Sequence, residues 1–176
     1  MTLSTAHDIR RKAEGAPADR VVLCYDDRFL RRKVLTTEGG EDVLIDLPHT
    51  ESLGEGDAFV LGDGRLVAVA AAIEPLLEIT GDGLARIAWH IGNRHTPCQI
   101  EASRLLIQRD HVIANMLSRI GATVREVDEP FTPEGGAYGH GRTHGHDHSH
   151  QHGPDVHAQE SGHSHGQGSH AHSHDH

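Results

Sequence analysis

Cysteine is scarce in this 176-residue chain: only Cys24 and Cys98 occur, far apart and in no paired motif. A disulfide framework is therefore not expected, and a reducing cytoplasm fits best. No apolar run approaches about 18 residues, so no transmembrane helix is expected. The stretch from Met1 to Glu14 is polar and lacks an apolar h-region, so no secretory signal is expected either. Positive charge is in short supply. Sixteen Lys and Arg stand against 26 Asp and Glu, a formal net charge of −10, which argues against a nucleic-acid partner. The local exception is the basic run Arg28, Arg31, Arg32 and Lys33, readable as a solvated strand face or as a docking patch for an acidic partner. The foldable part has no His-Glu-x-x-His or similar signature and no general base beside its histidines, so an enzyme is not expected.

The C-terminal stretch lacks aliphatics almost entirely. From Gly139 to His176 the only one beyond alanine is Val156, while 13 of the chain's 18 histidines fall there. Such a segment cannot bury a core and should stay disordered. His140 opens it, followed by His144, His146, His148, His150 and His152 in strict alternation. His163 and His165 come next, and then His170, His172, His174 and His176. Neutral imidazole suits nickel, zinc and copper, and a flexible chain can close several around one ion. The interleaving with Gly, Ser, Asp and Gln separates this tail from the contiguous run of a purification tag, and pH sensing ranks below metal binding. By the Irving–Williams trend copper would win such a tail, so selectivity must come from geometry or supply. Attention therefore moves to the folded part.

Hydrophobic rhythm divides that part in two. Arg20 to Tyr25 is an apolar run of strand length, with Cys24 read as core. Val34–Thr36 and Val43–Ile45 flank the turn signal Glu38–Gly39–Gly40, and Ala58–Leu61 and Leu66–Val69 flank Gly62–Asp63–Gly64. From Glu74 the rhythm changes. Pro75–Thr80 suits a strand, with Asp82 a possible N-cap for a helix whose apolar face is Leu84, Ile87, Ala88 and Ile91. Gly92–Asn93 supplies a stop signal. Strands are expected around Cys98–Ala102 and Leu105–Gln108, then a helix capped by Asp110 with Ile113, Met116, Leu117 and Ile120 inward, then a strand over Thr123–Val127. The order β-α-β-β-α-β is that of the ferredoxin-like split βαβ. The fold class is thus α+β, divided as a flexible lead-in over 1–19, a small β-rich domain over 20–73, a ferredoxin-like domain over 74–138, and the disordered histidine-rich tail over 139–176.

Three histidines of the second domain matter for chemistry. His90 lies near the edge of the apolar helix stripe and reads as structural or as a ligand. His95 falls in the loop after the stop signal, where a side chain can point outward. His111 opens the second helix, where the dipole favours the neutral imidazole that also binds metal. His95 and Cys98 form a lone His-x-x-Cys pair, much weaker than the paired motifs of zinc sites, and Cys98 reads as a buried small side chain ahead of a ligand.

Three segments then carry a resemblance: Ile91–Gly92–Asn93–Arg94–His95, Gln108–Arg109–Asp110–His111–Val112, and Pro133–Glu134–Gly135–Gly136–Ala137–Tyr138–Gly139–His140 running into the tail. In this order and spacing the chain resembles the urease accessory proteins that act as nickel metallochaperones. The resemblance implies a β-rich domain that contacts partners and a ferredoxin-like domain that binds metal. It also implies a homodimer in which His95 meets its symmetry mate across the interface to bind Ni2+. A two-fold axis lets one residue per chain supply two ligands. His111 matches a peripheral metal site. Many members carry histidine two residues before it; here Arg109 stands there, and an arginine that stays protonated cannot ligate.

The resemblance implies collection of Ni2+ and its delivery for assembly of the urease nickel centre. Zn2+ and Cu2+ would be competing metals. The implied partners are the urease-maturation GTPase and, through it, the apo-urease accessory complex. The rival reading is a histidine-rich storage or detoxification protein for zinc, copper or nickel without a delivery partner.

Overall fold

A computed structural model describes residues 3–135. Among the described residues, ten strands form two sheets and two α-helices accompany the second, all within one compact unit. The first sheet contains β1 (Ser4–Arg10), β2 (Asp19–Leu23), β3 (Phe29–Thr36), β4 (Asp42–Ser52), β5 (Ala58–Leu61) and β6 (Leu66–Ala71). Its order is β2-β6-β5-β1-β4-β3, and one-turn 3-10 helix Asp26–Arg28 sits between β2 and β3. Inward residues of these strands, among them Val21, Val43, Ile45, Phe59, Val67 and Val69, make one apolar core. Both anticipated hairpins form, with Gly40 and Gly64 at positive φ in their turns, a conformation glycine adopts without a Cβ clash.

The lead-in expected over 1–19 is instead structural. Strand β1 is interior, parallel to β4 with Ala6 opposite Ile45 and antiparallel to β5 with Ile9 opposite Phe59. Its membership rests on backbone ladders along both edges, while only Ala6 is fully buried. A strand held mainly by main-chain hydrogen bonds leaves little trace in hydropathy. Cys24 is also corrected: it is half-buried past the end of β2, with its thiol donating to Asp27 Oδ2 at 3.2 Å. The basic run divides, for Arg28 is 1% exposed whereas Arg31, Arg32 and Lys33 face outward.

The second sheet contains β7 (Ile73–Thr80), β8 (Gln99–Ile100), β9 (Leu105–Gln108) and β10 (Thr123–Pro130), with α1 (Leu84–Gly92) and α2 (His111–Arg119) between them. The order β10-β7-β9-β8, antiparallel throughout, is the ferredoxin-like arrangement. Ile87 and Ile91 of α1 and Ile113 and Leu117 of α2 pack on Leu77, Ile79, Leu105 and Ile107. Asp110 caps α2 as anticipated, its Oδ1 accepting from the amides of Val112 at 2.8 Å and Ile113 at 3.0 Å. Asp82 does not cap α1; that position is Gly83, at φ 73° with no side-chain bond.

The opposite face of this sheet buries Leu76, Leu106 and Phe131, with Tyr25 of the first sheet's side packed against them. Tyr25 and Phe131 meet edge-to-face at 5.4 Å. Glu74, also buried, accepts from the Tyr25 amide at 2.7 Å and from Gln108 Nε2 at 3.1 Å. The two sheets are therefore joined by specific polar and aromatic contacts as well as by the chain.

Candidate metal centre

The α1–β8 connection is built from backbone turns. The amides of Asn93, Arg94 and His95 donate to Trp89 O, Ile91 O and Gly92 O at 2.9, 3.0 and 2.9 Å. The helix does stop at Gly92–Asn93 as expected, but with no left-handed residue there: Asn93 keeps helical angles, and the residue with φ 57° is His95 itself. Left-handed backbone in a residue with a Cβ costs about 1–2 kcal/mol, and such strain clusters at functional positions. His95 is exposed. Trp89, six residues before it, is 64% exposed and Ile100, five residues after it, is 51% exposed. Among the described residues, the loop thus carries an exposed imidazole, with exposed large apolar side chains at Trp89 before it and Ile100 after it in sequence.

Cys98 is half-buried and packs at the margin of the helix-side core. Burial, with Glu134 adding to it, pushes its thiol up to about 11. His90 is half-buried on α1, its ring edge-on to Trp89 at 5.1 Å. His111 is exposed at the first position of α2 and lines a cavity of about 540 Å³ with Leu77, Arg109, Asp110, Asn115 and Glu126.

The antiparallel order places the C-terminal end of α1 and the N-terminal end of α2 at the same end of the layer, so His95 and His111 share that end. His95 does not line the cavity at His111. Arg109 lines that cavity and engages Glu126 at 3.3 Å and Asp128 at 3.0 Å. Glu126, which lines the same cavity, is thereby paired with a cation. Among the described residues no three His, Cys, Asp or Glu side chains gather into a metal-sized cluster. The tail histidines, His140 to His176, lie outside the described residues.

Sequence reasoning missed the segment Phe131–Gly135. Phe131 is 0% exposed, and its carbonyl accepts from the buried Arg28 guanidinium. The Thr132 amide donates to Gln99 Oε1 at 2.7 Å, and the Glu134 amide donates to Cys98 O at 2.9 Å. The one signal was Phe131 itself, an isolated aromatic between Pro130 and Pro133.

Comparison with known proteins agrees with this layout. The model of the UreE urease accessory protein C-terminal domain matches residues 74–158, and that of the N-terminal domain matches residues 2–72, β1 included. A urease accessory protein UreE of Ruegeria pomeroyi is 68% identical over 145 residues, covering 82% of this chain and 97% of that protein. Its counterpart in a second Ruegeria species is 68% identical over 131 residues, 74% of each chain. The one of Paracoccus denitrificans is 58% identical over 135 residues, 77% of this chain and 86% of that protein. The chain belongs to the UreE family of urease accessory proteins.

Proposed function

We propose that this chain is a non-enzymatic nickel metallochaperone for urease maturation. Tail imidazoles collect Ni2+, and His95 with the partner subunit's His95 holds it across the two-fold axis of a homodimer. The observation that carries this reading is His95: exposed, held in a left-handed turn, and flanked by uncovered Trp89 and Ile100. A lone exposed imidazole with exposed Trp89 and Ile100 on neighbouring parts of the chain suits a self-complementary interface, where each ligand is supplied twice. A site with few protein ligands leaves positions open, so the ion can pass by ligand exchange to the next protein. The urease-maturation GTPase, and through it the apo-urease accessory complex, would be that recipient in the cytoplasm.

His111 contributes little in this reading, because Arg109 supplies fixed positive charge at the same cavity. Cys98 stays out of the ligand set in this reading, because its half-buried side chain packs at the margin of the helix-side core. Zn2+ and Cu2+ compete for the tail, while the two-fold geometry at His95 supplies the selection.

The test is calorimetric titration with nickel and with zinc of three proteins: the full chain, a chain ending at Tyr138, and that shorter chain with His95→Ala. The expected result is about one nickel per dimer in the shorter chain, abolished by His95→Ala. Loss of all binding on shortening, with His95→Ala silent in the full chain, would instead favour a storage protein.

A further inference from the structure

The tripeptide Arg-Arg-Lys occurs twice, as Arg10–Arg11–Lys12 and as Arg31–Arg32–Lys33, and the two copies hold the chain's only two lysines. The fold brings them to opposite sides of one strand. The first copy begins at the last residue of β1 and the second lies on β3, with β4 between them in the sheet. Arg11 donates to Glu51 at 2.7 Å and to the Ser52 carbonyl at 2.6 Å, and these two β4 residues stand opposite Leu30 and Phe29. Arg32 stands opposite Asp46, and Arg31 reaches the Leu47 carbonyl at 3.4 Å. A chain of net charge −10 thus gathers a basic strip along β4, from Lys33 opposite Ile45 to Arg11 at Ser52.

Charged side chains on an end strand commonly guard it against pairing with other chains, and that accounts for Arg31, Arg32 and Lys33 on β3. It does not account for the first copy, because β1 is interior, between β4 and β5, and has no edge to guard. Lys12 also sits at φ 42°, a left-handed backbone that residues with a Cβ rarely adopt. Asp57 Oδ1 accepts from its amide at 3.0 Å while its side chain stays exposed. Arg11 is paired with Glu51 and Asp57, Arg32 with Asp46, and Lys33 with Asp27. Exposed Arg10, Lys12 and Arg31 form no ion pair among the described residues. The strip therefore keeps a positive surplus even when Asp8, the carboxylate of β1, is counted against it.

We propose that this strip docks an extended acidic segment of a partner protein, with Arg10, Lys12 and Arg31 meeting its carboxylates. The strand from Ile45 to Ser52 measures ~23 Å, a length that about seven residues of extended chain span. A nucleic acid fits less well, because a net charge of −10 repels an extended polyanion from a distance. A short acidic segment instead meets the local cations within about one Debye length. The inference concerns the first sheet and does not depend on the role proposed for His95.

The experiment uses the full chain, a chelator in place of metal, and dye-labelled octaglutamate as the probe, read by fluorescence anisotropy at low salt. Arg10→Gln, Lys12→Gln and Arg31→Gln together break no ion pair of the described residues, and should weaken binding about tenfold through three lost exposed charge contacts. Arg10→Lys with Arg31→Lys keeps the charge and should bind close to the parent. A control set elsewhere, Arg86→Gln, Arg94→Gln and Arg119→Gln, should also stay close to it. Equal weakening in that control, or parent-like binding in the first set, overturns the docking site. The parent chain itself supplies a second measurement. Carbodiimide joins a carboxylate to an amine with loss of water, and Lys12 and Lys33 are the only lysines. Octaglutamate should attach at Lys12, and less at Lys33, which Asp27 holds; attachment at the N-terminal amine alone overturns the site. Double-stranded DNA that binds more tightly than octaglutamate, and loses that binding in the first set, overturns the acidic-protein partner.

Discussion

Asp110, Cys98 and Phe131 each do one physical job that a single substitution isolates. Asp110 accepts two of the otherwise unpartnered amides at the start of α2, so Asp110→Ala should lower stability by about 1 kcal/mol in urea unfolding. Phe131 fills a dry cluster with Leu76, Leu106 and Tyr25. Phe131→Ala should cost about 3–5 kcal/mol by the same assay, through lost burial and the cavity left behind. Cys98 has a thiol raised from 9.0 to about 11, chiefly by burial. Its contribution to stability is complete below about 9, where the unfolded thiol also keeps its proton, and is lost as pH rises through about 11. Thermal unfolding at stepped alkaline pH should show that decline, and Cys98→Ser should flatten it.

At the scale of elements, the back of the second sheet is tied by charge. Arg104, in the β8–β9 turn, bonds Glu101 beside it, Glu78 on β7 and Glu129 on β10 at 2.7, 2.9 and 2.8 Å. It holds all three carboxyls below the usual carboxylate range, helped at Glu78 by Arg125. Their stabilising effect is present above the ordinary value of 4.5 and fades as pH falls through the depressed ones. The full chain should lose stability on acidification in that window, and Arg104→Met should weaken the dependence; acid titration followed by circular dichroism checks it.

Legibility of elements followed the source of their stability. Helices α1 and α2 were readable because Ile87, Ile91, Ile113 and Leu117 repeat with helical spacing, and Asp110 announced its cap. The ferredoxin-like order came from those helices and the apolar strands beside them. Strand β1 was not readable, because Ser4–Arg10 contributes backbone ladders and one fully buried side chain. The left-handed residue was sought at Gly92–Asn93, where the intrinsic cost is lowest, whereas the structure places it at His95. The segment Phe131–Gly135 was invisible for another reason: its main-chain groups meet Arg28, Gln99 and Cys98, none near it in sequence.

At the scale of the whole molecule, the two sheets have separate apolar cores but a shared seam. Glu74 accepts from Tyr25 on one side and Gln108 on the other, and Arg28 reaches Phe131 across the same seam. Glu74→Ala should therefore lower stability by about 1–3 kcal/mol and loosen the joint. Native-state hydrogen exchange would show Tyr25 and Gln108 losing protection together while the interior of each sheet keeps its own.

The turn at His95 has a consequence for how such a chain is maintained. Glycine would sit at φ 57° with no Cβ penalty, so His95→Gly should be more stable than His95→Ala by about 1 kcal/mol, even though both lack the imidazole. Under pressure for thermostability alone, random drift would erase the histidine here and be rewarded for it. A stabilised library of this chain, sorted only for resistance to heat, should accumulate glycine at position 95 and, on the proposed role of His95, lose nickel binding without losing its fold.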